Sequence, residues 1–246
     1  MNEVSVMFFI WAIIIVGVTV YTILHWYRKK ELQELKAVEL KILAAEHDLH
    51  YTENGAAYLS KLDQIDLQPG SRSKFQNILR SCYGPATIRV FDASHIDSSG
   101  NSNKTINLIG VTVESNQLQL PYFLLSRKLA LDSFTLFRRV SRIEPIYVPK
   151  LIRRNYSLFY RKTEGSHGVE NLFSNKDQLH QLLSLLSFHK LAGSKNLLVF
   201  YQEGELRSDI AHFRHLEQKG RQLFDMFRID STMPDEITIL KQASKK

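Results

Sequence analysis

Residues 4–27 contain no Asp, Glu, Lys or Arg, and that run constrains the fold more than any other feature of the chain. Its centre reads Val6-Met-Phe-Phe-Ile-Trp-Ala-Ile-Ile-Ile-Val-Gly-Val-Thr-Val-Tyr-Thr-Ile-Leu. As a helix it covers about 36 Å at about 1.5 Å per residue, enough for a hydrocarbon core of about 30 Å. It has no polar face, so it does not read as a helix lying on a soluble core. A cleaved signal peptide would want a basic start, a shorter run and a small-residue cleavage site. Here the start is Met1-Asn2-Glu3, and the run ends in His25-Trp26-Tyr27-Arg28-Lys29-Lys30. The sequence therefore predicts a permanent single-pass anchor over residues 1–27. Trp26, Tyr27, Arg28, Lys29 and Lys30 serve as its membrane-interface anchors. The basic cluster after the span, against Glu3 before it, puts the N-terminus outside. The main domain then lies on the cytoplasmic side of the plasma (inner) membrane.

Residues 28–48 are rich in Glu, Lys, Leu and Ala and hold no Gly or Pro, which predicts a helical stalk continuing the anchor. Leu35, Val38, Ile42, Ala45 and Leu49 keep a 3,4 spacing. Two readings of that spacing stand. One is a short coiled coil making the chain a homodimer through the stalk; the other, which we favour, is a helix packing on its own domain. Residues 49–230 then form a soluble domain, and 231–246 a tail. The chain is 44% hydrophobic and 23% charged, the balance of a folded protein rather than a disordered one.

Within the domain, residues 73–81 read as a short helix. The β signal is strongest in the alternating Thr87-Ile-Arg-Val-Phe-Asp and Thr105-Ile-Asn-Leu-Ile-Gly-Val-Thr-Val-Glu, joined through the turn-forming Asp97-Ser-Ser-Gly-Asn-Ser-Asn. Further strands are predicted over 118–126, 155–161 and 197–201, with Pro121 near a start or on an edge. Helices are predicted over 176–189 and 206–228; the latter carries Ile210, Phe213, Leu216, Leu223, Phe224 and Phe227 on one face. The expected fold class is α+β: a mostly antiparallel sheet with helices on one face.

The order of these segments resembles a diffuse group of uncharacterised prokaryotic membrane-anchored proteins with a soluble α+β domain. The residues that carry the likeness are Asn77-Ile-Leu-Arg, Ile88-Arg-Val-Phe-Asp, Leu120-Pro-Tyr-Phe-Leu-Leu, Tyr156-Ser-Leu-Phe-Tyr-Arg, Leu172-Phe and Leu198-Val-Phe-Tyr. It spans residues 45–228. In the group the Phe-Asp pair is usually followed by an aromatic residue, where this chain has Ala93. The resemblance implies fold and membrane attachment and carries no activity.

Chemistry is thinly signalled. No phosphate-cradling or dinucleotide-binding glycine motif occurs and no nucleophile elbow. The single cysteine, Cys82, excludes an intrachain disulfide and a Cys-rich zinc site, and reads as a buried thiol. Ser94, His95 and Asp97 are triad residue types side by side, but triads are assembled by the fold, and a solvated turn is the favoured reading. His47 and His50, and His212 and His215, are i, i+3 pairs lacking a third ligand, so surface histidines are expected and no metal or cofactor is implied.

Charge is more informative. Residues 126–162 carry ten basic side chains, Arg127, Lys128, Arg138, Arg139, Arg142, Lys150, Arg153, Arg154, Arg161 and Lys162, against Asp132 and Glu144. That net +8 exceeds the whole chain's +7. Phe134, Phe137, Tyr147, Tyr156 and Phe159 are interleaved with them. Basic and aromatic residues together suit phosphate partners, and the nearby bilayer puts anionic lipid head groups ahead of nucleic acid; a solvated face with core aromatics is the alternative. A second stripe, Arg207, Arg214, Arg221 and Arg228, recurs every seven residues, with Asp225 placed to neutralise part of it. The leading reading is a non-enzymatic, membrane-tethered cytoplasmic binding or scaffolding module with an unspecified protein partner. The alternative is an enzyme acting on a membrane or phosphate-bearing substrate.

Overall fold

The chain's first element is set by the same apolar run. In the computed structural model, which describes residues 3–64, 73–97, 104–127, 143–146, 155–185 and 190–229, helix α1 runs unbroken over Glu3–Glu46, 44 residues. That is about 66 Å of helix, and the segments expected to be anchor and stalk are one helix without a hinge. The described side chains from Trp11 to Tyr27 are all exposed, and by length and composition α1 is apolar enough to cross a membrane. It closes at Asp48, which takes a left-handed φ of 52°, while the Leu49 amide returns to the Ala44 carbonyl at 2.9 Å.

The domain is α+β, as the alternating segments predict. Strand β1 (His50–Asn54) leads to helix α2 (Ala56–Gln64). An antiparallel meander follows, β2 (Lys74–Tyr83), β3 (Ala86–Asp97) and β4 (Lys104–Glu114). Then come β5 (Leu120–Arg127), β6 (Ile143–Pro145) and β7 (Tyr156–Arg161). A 3-10 turn (Lys162–Glu164), α3 (His167–Leu172) and α4 (Lys176–Leu185) follow. The described chain ends with β8 (Lys190–Lys195), β9 (Leu197–Glu203) and α5 (Ile210–Phe227). Among the described residues these strands make one nine-stranded sheet in the order β1-β2-β3-β4-β9-β8-β5-β7-β6, antiparallel at every pairing.

Strand alternation sends side chains to two faces. On one, Ile88, Val90, Val111, Val113, Leu198 and Phe200 meet Phe213, Leu216, Leu223 and Phe224 of α5. The same core takes in Val169 and Phe173 at α3, Leu179 and Leu182 of α4, and Leu40, Leu43 and Ala44 of α1. The main helical layer thus lies on one face. A smaller core on the other, built on Phe75, Phe91, Leu108, Val199 and Tyr201, is joined by Leu62 of α2.

Three sequence expectations are corrected. The segment 73–81 falls in strand β2 (Lys74–Tyr83), not a helix. A bulge between Gln76 and Leu79, with Asn77 at φ 54°, inserts one residue and places Phe75, Ile78 and Leu79 at i, i+3, i+4, which imitates helical period. The helix predicted from Leu206 begins at Ile210, because the Asp209 side chain accepts from the Ala211 amide at 2.9 Å and caps it. The helix predicted over 176–189 ends at Leu185 within the described residues, and Lys190 already starts β8.

Candidate functional site

The stalk is the element that sets the geometry of any site, because it enters the domain's core. The side that packs inward is Ala37, Leu40, Leu43 and Ala44, with Leu40 0% exposed. The helix therefore does pack on its own domain, but not through the 3,4 positions Leu35, Val38 and Ile42, which remain exposed.

One carboxylate locks this junction. Asp92 sits on β3 with its Oδ2 taking Lys36 Nζ of α1 at 2.8 Å and Asn77 Nδ2 at 2.8 Å. Its Oδ1 accepts the Leu206 amide of the β9–α5 loop at 2.7 Å. Asn77 passes the network on, its Oδ1 accepting the Tyr51 hydroxyl at 2.8 Å. Burial, with the charges of Glu53 and Asp92, pushes that hydroxyl up to about 12, so it stays a donor. Charge-assisted bonds of this kind are shorter and stronger than neutral ones. Beside the network lies an open cleft of about 570 Å³ between α1 and the β9–α5 loop, lined by Lys36, Glu39, Gln202, Glu203, Arg207 and His212 among others.

A second cleft, about 350 Å³, opens where α1 ends. His47, Asp48 and Leu49 form one wall, Ser81 and Cys82 another, and Arg214, Glu217 and Arg221 of α5 the third. Glu217, its side chain 2% exposed, takes Arg214 at 2.8 Å and Arg221 at 2.9 Å, one on each oxygen. Burial would raise its carboxyl, but the Ser81 hydroxyl and the two guanidinium groups outweigh burial and hold it below the ordinary carboxylate range. The Arg221 guanidinium also lies 4.8 Å over the Tyr83 ring. The sevenfold arginine stripe is thus spoken for: Arg214 and Arg221 by Glu217, and Arg228 by Asp225 at 3.3 Å. Arg207 precedes the helix, and its amide donates to His212 Nδ1 at 3.2 Å. Cys82 is exposed rather than buried, a correction to the expectation.

The other sequence candidates separate in the same way. Ser94 and His95 are successive residues of β3, so they point to opposite faces; His95 is buried, not in a solvated turn. Among the described residues no three His, Cys, Asp or Glu side chains gather in a metal-holding group.

Of the basic segment, Lys128, Arg138, Arg139, Arg142, Lys150, Arg153 and Arg154 lie outside the described residues. Arg127 is exposed at the end of β5. Arg161 pairs with Glu164 at 3.2 Å and stacks 4.3 Å over the Tyr122 ring. Lys162 pairs with Glu144 at 2.9 Å. Of the interleaved aromatics, Tyr156 is buried in the main core and Phe159 packs on the second, so neither offers a free ring. At the end of the apolar run Trp26, Tyr27, Arg28, Lys29 and Lys30 are all exposed, with Lys30 5.9 Å over the Trp26 ring.

No family model matches the chain, and no curated protein matches it. A solved structure does: the mycobacterial trehalose monomycolate transport factor A, TtfA, at a TM-score of 0.53 and 9% identity, covering 81% of this chain and 98% of that one. At that identity the likeness is one of fold.

Proposed function

We propose that the chain is a membrane-tethered cytoplasmic binding or scaffolding module. The observation that carries this reading is the continuity of α1. Its first half is exposed and apolar, its last turns are buried in the domain, and no flexible linker separates them. Such a joint holds a folded surface at a fixed place beside a bilayer, which is the need of a scaffold. The clefts flanking the stalk are open and carry both charge signs, suiting contact with another protein's side chains. The related fold of a transport factor is in keeping with a role beside partners and supplies no specificity.

In the same reading the N-terminus lies outside and the domain faces the anionic leaflet. Arg127 and the seven basic residues of the 128–154 stretch meet lipid head groups there, each contributing about 1 kcal/mol when close to the surface. Arg161 and Lys162 contribute less, since carboxylates already hold them.

The test is cross-linking in native membranes followed by affinity purification of the full-length chain. Stoichiometric recovery of one membrane-associated protein supports the module. Recovery of the chain alone, or turnover of a small molecule by the purified chain, overturns it.

A further inference from the structure

The stalk has two apolar faces, and the domain covers only one. At 3.6 residues per turn, Ala37, Leu40, Leu43 and Ala44 centre on the side buried in the domain. Leu35, Val38, Ile42 and Ala45 centre nearly opposite. Leu35 is 54% exposed, Val38 53% and Ile42 54%, and Ala45 is exposed with them. Leu32, 66% exposed, borders the same stripe. A solvated helix face has no use for three large aliphatic side chains in a row; ordinarily that face is polar.

We propose that this outer stripe is the seam of a parallel homodimer, a second copy of the chain packing its own α1 against it. Three features select a second copy. First, the spacing is 3,4,3, the repeat that keeps successive residues on the line of contact between two helices winding around each other. In a two-fold arrangement each side chain meets its own counterpart, so the stripe is complementary to itself. Second, two copies inserted in one bilayer by the same span already run parallel and at equal depth, so Leu35, Val38 and Ile42 arrive level with their counterparts. Part of the orientational cost of association is thereby met in advance. Third, the described part of the domain packs on the opposite side of the helix, so a second α1 reaches the stripe without displacing any described residue.

The flanking charges make the seam moderate rather than strong. In the parallel register Lys41 lies beside Glu46 of the second copy, an attractive pair at the positions that border such seams, weakened because Lys41 is already 3.2 Å from Glu53 of its own domain. Glu34 lies beside Glu39 of the second copy, a repulsive one, softened because Lys30 is 3.7 Å from Glu34. The expected assembly is a reversible dimer of full-length chains in the membrane.

The inference rests on α1 spanning the bilayer, so anchoring and seam are scored separately. Cys82 is the single cysteine, and Cys82→Ser gives a silent background. Into it go single cysteines at Leu35, Val38 or Ile42, and at Gln33 as a control on the domain side of the helix. Native membranes are treated with a mild oxidant. Seam residues of a two-helix dimer come within the reach of a disulfide, so the three seam variants should give a dimer band several-fold stronger than Gln33→Cys. Val38→Arg with Ile42→Arg should abolish dimer captured by a non-specific cross-linker, while the circular dichroism of the purified chain stays unchanged because both sites are exposed. Equal cross-linking at all four positions, none at any, or a product whose mass is that of a different protein overturns the dimer. Loss of the chain from carbonate-washed membranes overturns the anchor instead.

Discussion

Glu217 shows how a single carboxylate organises a helix surface. It lies three residues after Arg214 and four before Arg221, so both guanidinium groups reach it along the helix. Its folded pKa is lowered, so the stability it contributes is present above the unfolded carboxylate value of about 4.3. That stability is lost as pH falls through the lower folded value. We expect Glu217→Gln to cost about 1–2 kcal/mol at neutral pH and to flatten the loss of stability below about pH 4.3 relative to wild type. Urea unfolding of the two proteins by far-ultraviolet circular dichroism checks it; parallel profiles down to pH 3 would remove Glu217 from the account. The arginine stripe was legible from its sevenfold spacing, and so was the pairing of Arg228 with Asp225. The Glu217 clamp was equally legible by spacing, yet a glutamate flanked by Arg214, His215, Gln218 and Lys219 reads as part of a solvated face and gives no local sign that the fold buries it. The exposure of Cys82 was not legible either, since strand β2 turns that side chain outward only once the bulge has set its phase.

At the scale of the element, strands with clean alternation announced themselves and the others did not. β3 and β4 pair without a break from Thr87↔Glu114 to Asp97↔Lys104, and their sequence shows it. β2 was hidden by its bulge. β1, β6 and β8 are short or carry polar residues and glycine, and only pairing to neighbours makes them strands. Gly110 marks a second feature of this kind. It lies opposite Phe91 in the register, and a Cβ there would stand 2.2 Å from Phe91 Cε2. The ring is hemmed in by Phe75 at 4.7 Å and Tyr201 at 6.3 Å between centroids. Gly110→Ala should therefore cost about 1–3 kcal/mol as an overpacked site. Phe91→Leu in the same chain should restore part of that cost. Circular dichroism on heating reads both changes; tryptophan emission does not, since Trp11 and Trp26 both lie in α1. A Gly110→Ala protein that melts with wild type would mean the ring is free to move.

For the whole molecule, the sequence revealed the long apolar N-terminal helix and the α+β class but not the order of the sheet. β4 neighbours β9, and β5 neighbours both β8 and β7; such pairings join residues far apart in the chain and leave no local pattern. Nor did the basic count reveal that Arg161 and Lys162 are held by Glu164 and Glu144, since charge totals carry no geometry. The proposed orientation rests on the basic cluster after the apolar run. A fluorescent protein fused after Lys246 should be bright, and alkaline phosphatase fused there should be inactive. The reverse pattern puts the domain on the other side of the membrane. The unbroken α1 has one more consequence. A domain on a floppy leash samples a hemisphere and meets partners at any angle, whereas in the proposed membrane-tethered arrangement this one rides on a mast. It presents the same surfaces at the same height each time, so whatever tilts the helix within the bilayer swings the domain through the same angle. A partner embedded in that membrane then needs only to stand at the right height, and one approaching from solution must come in along a single bearing.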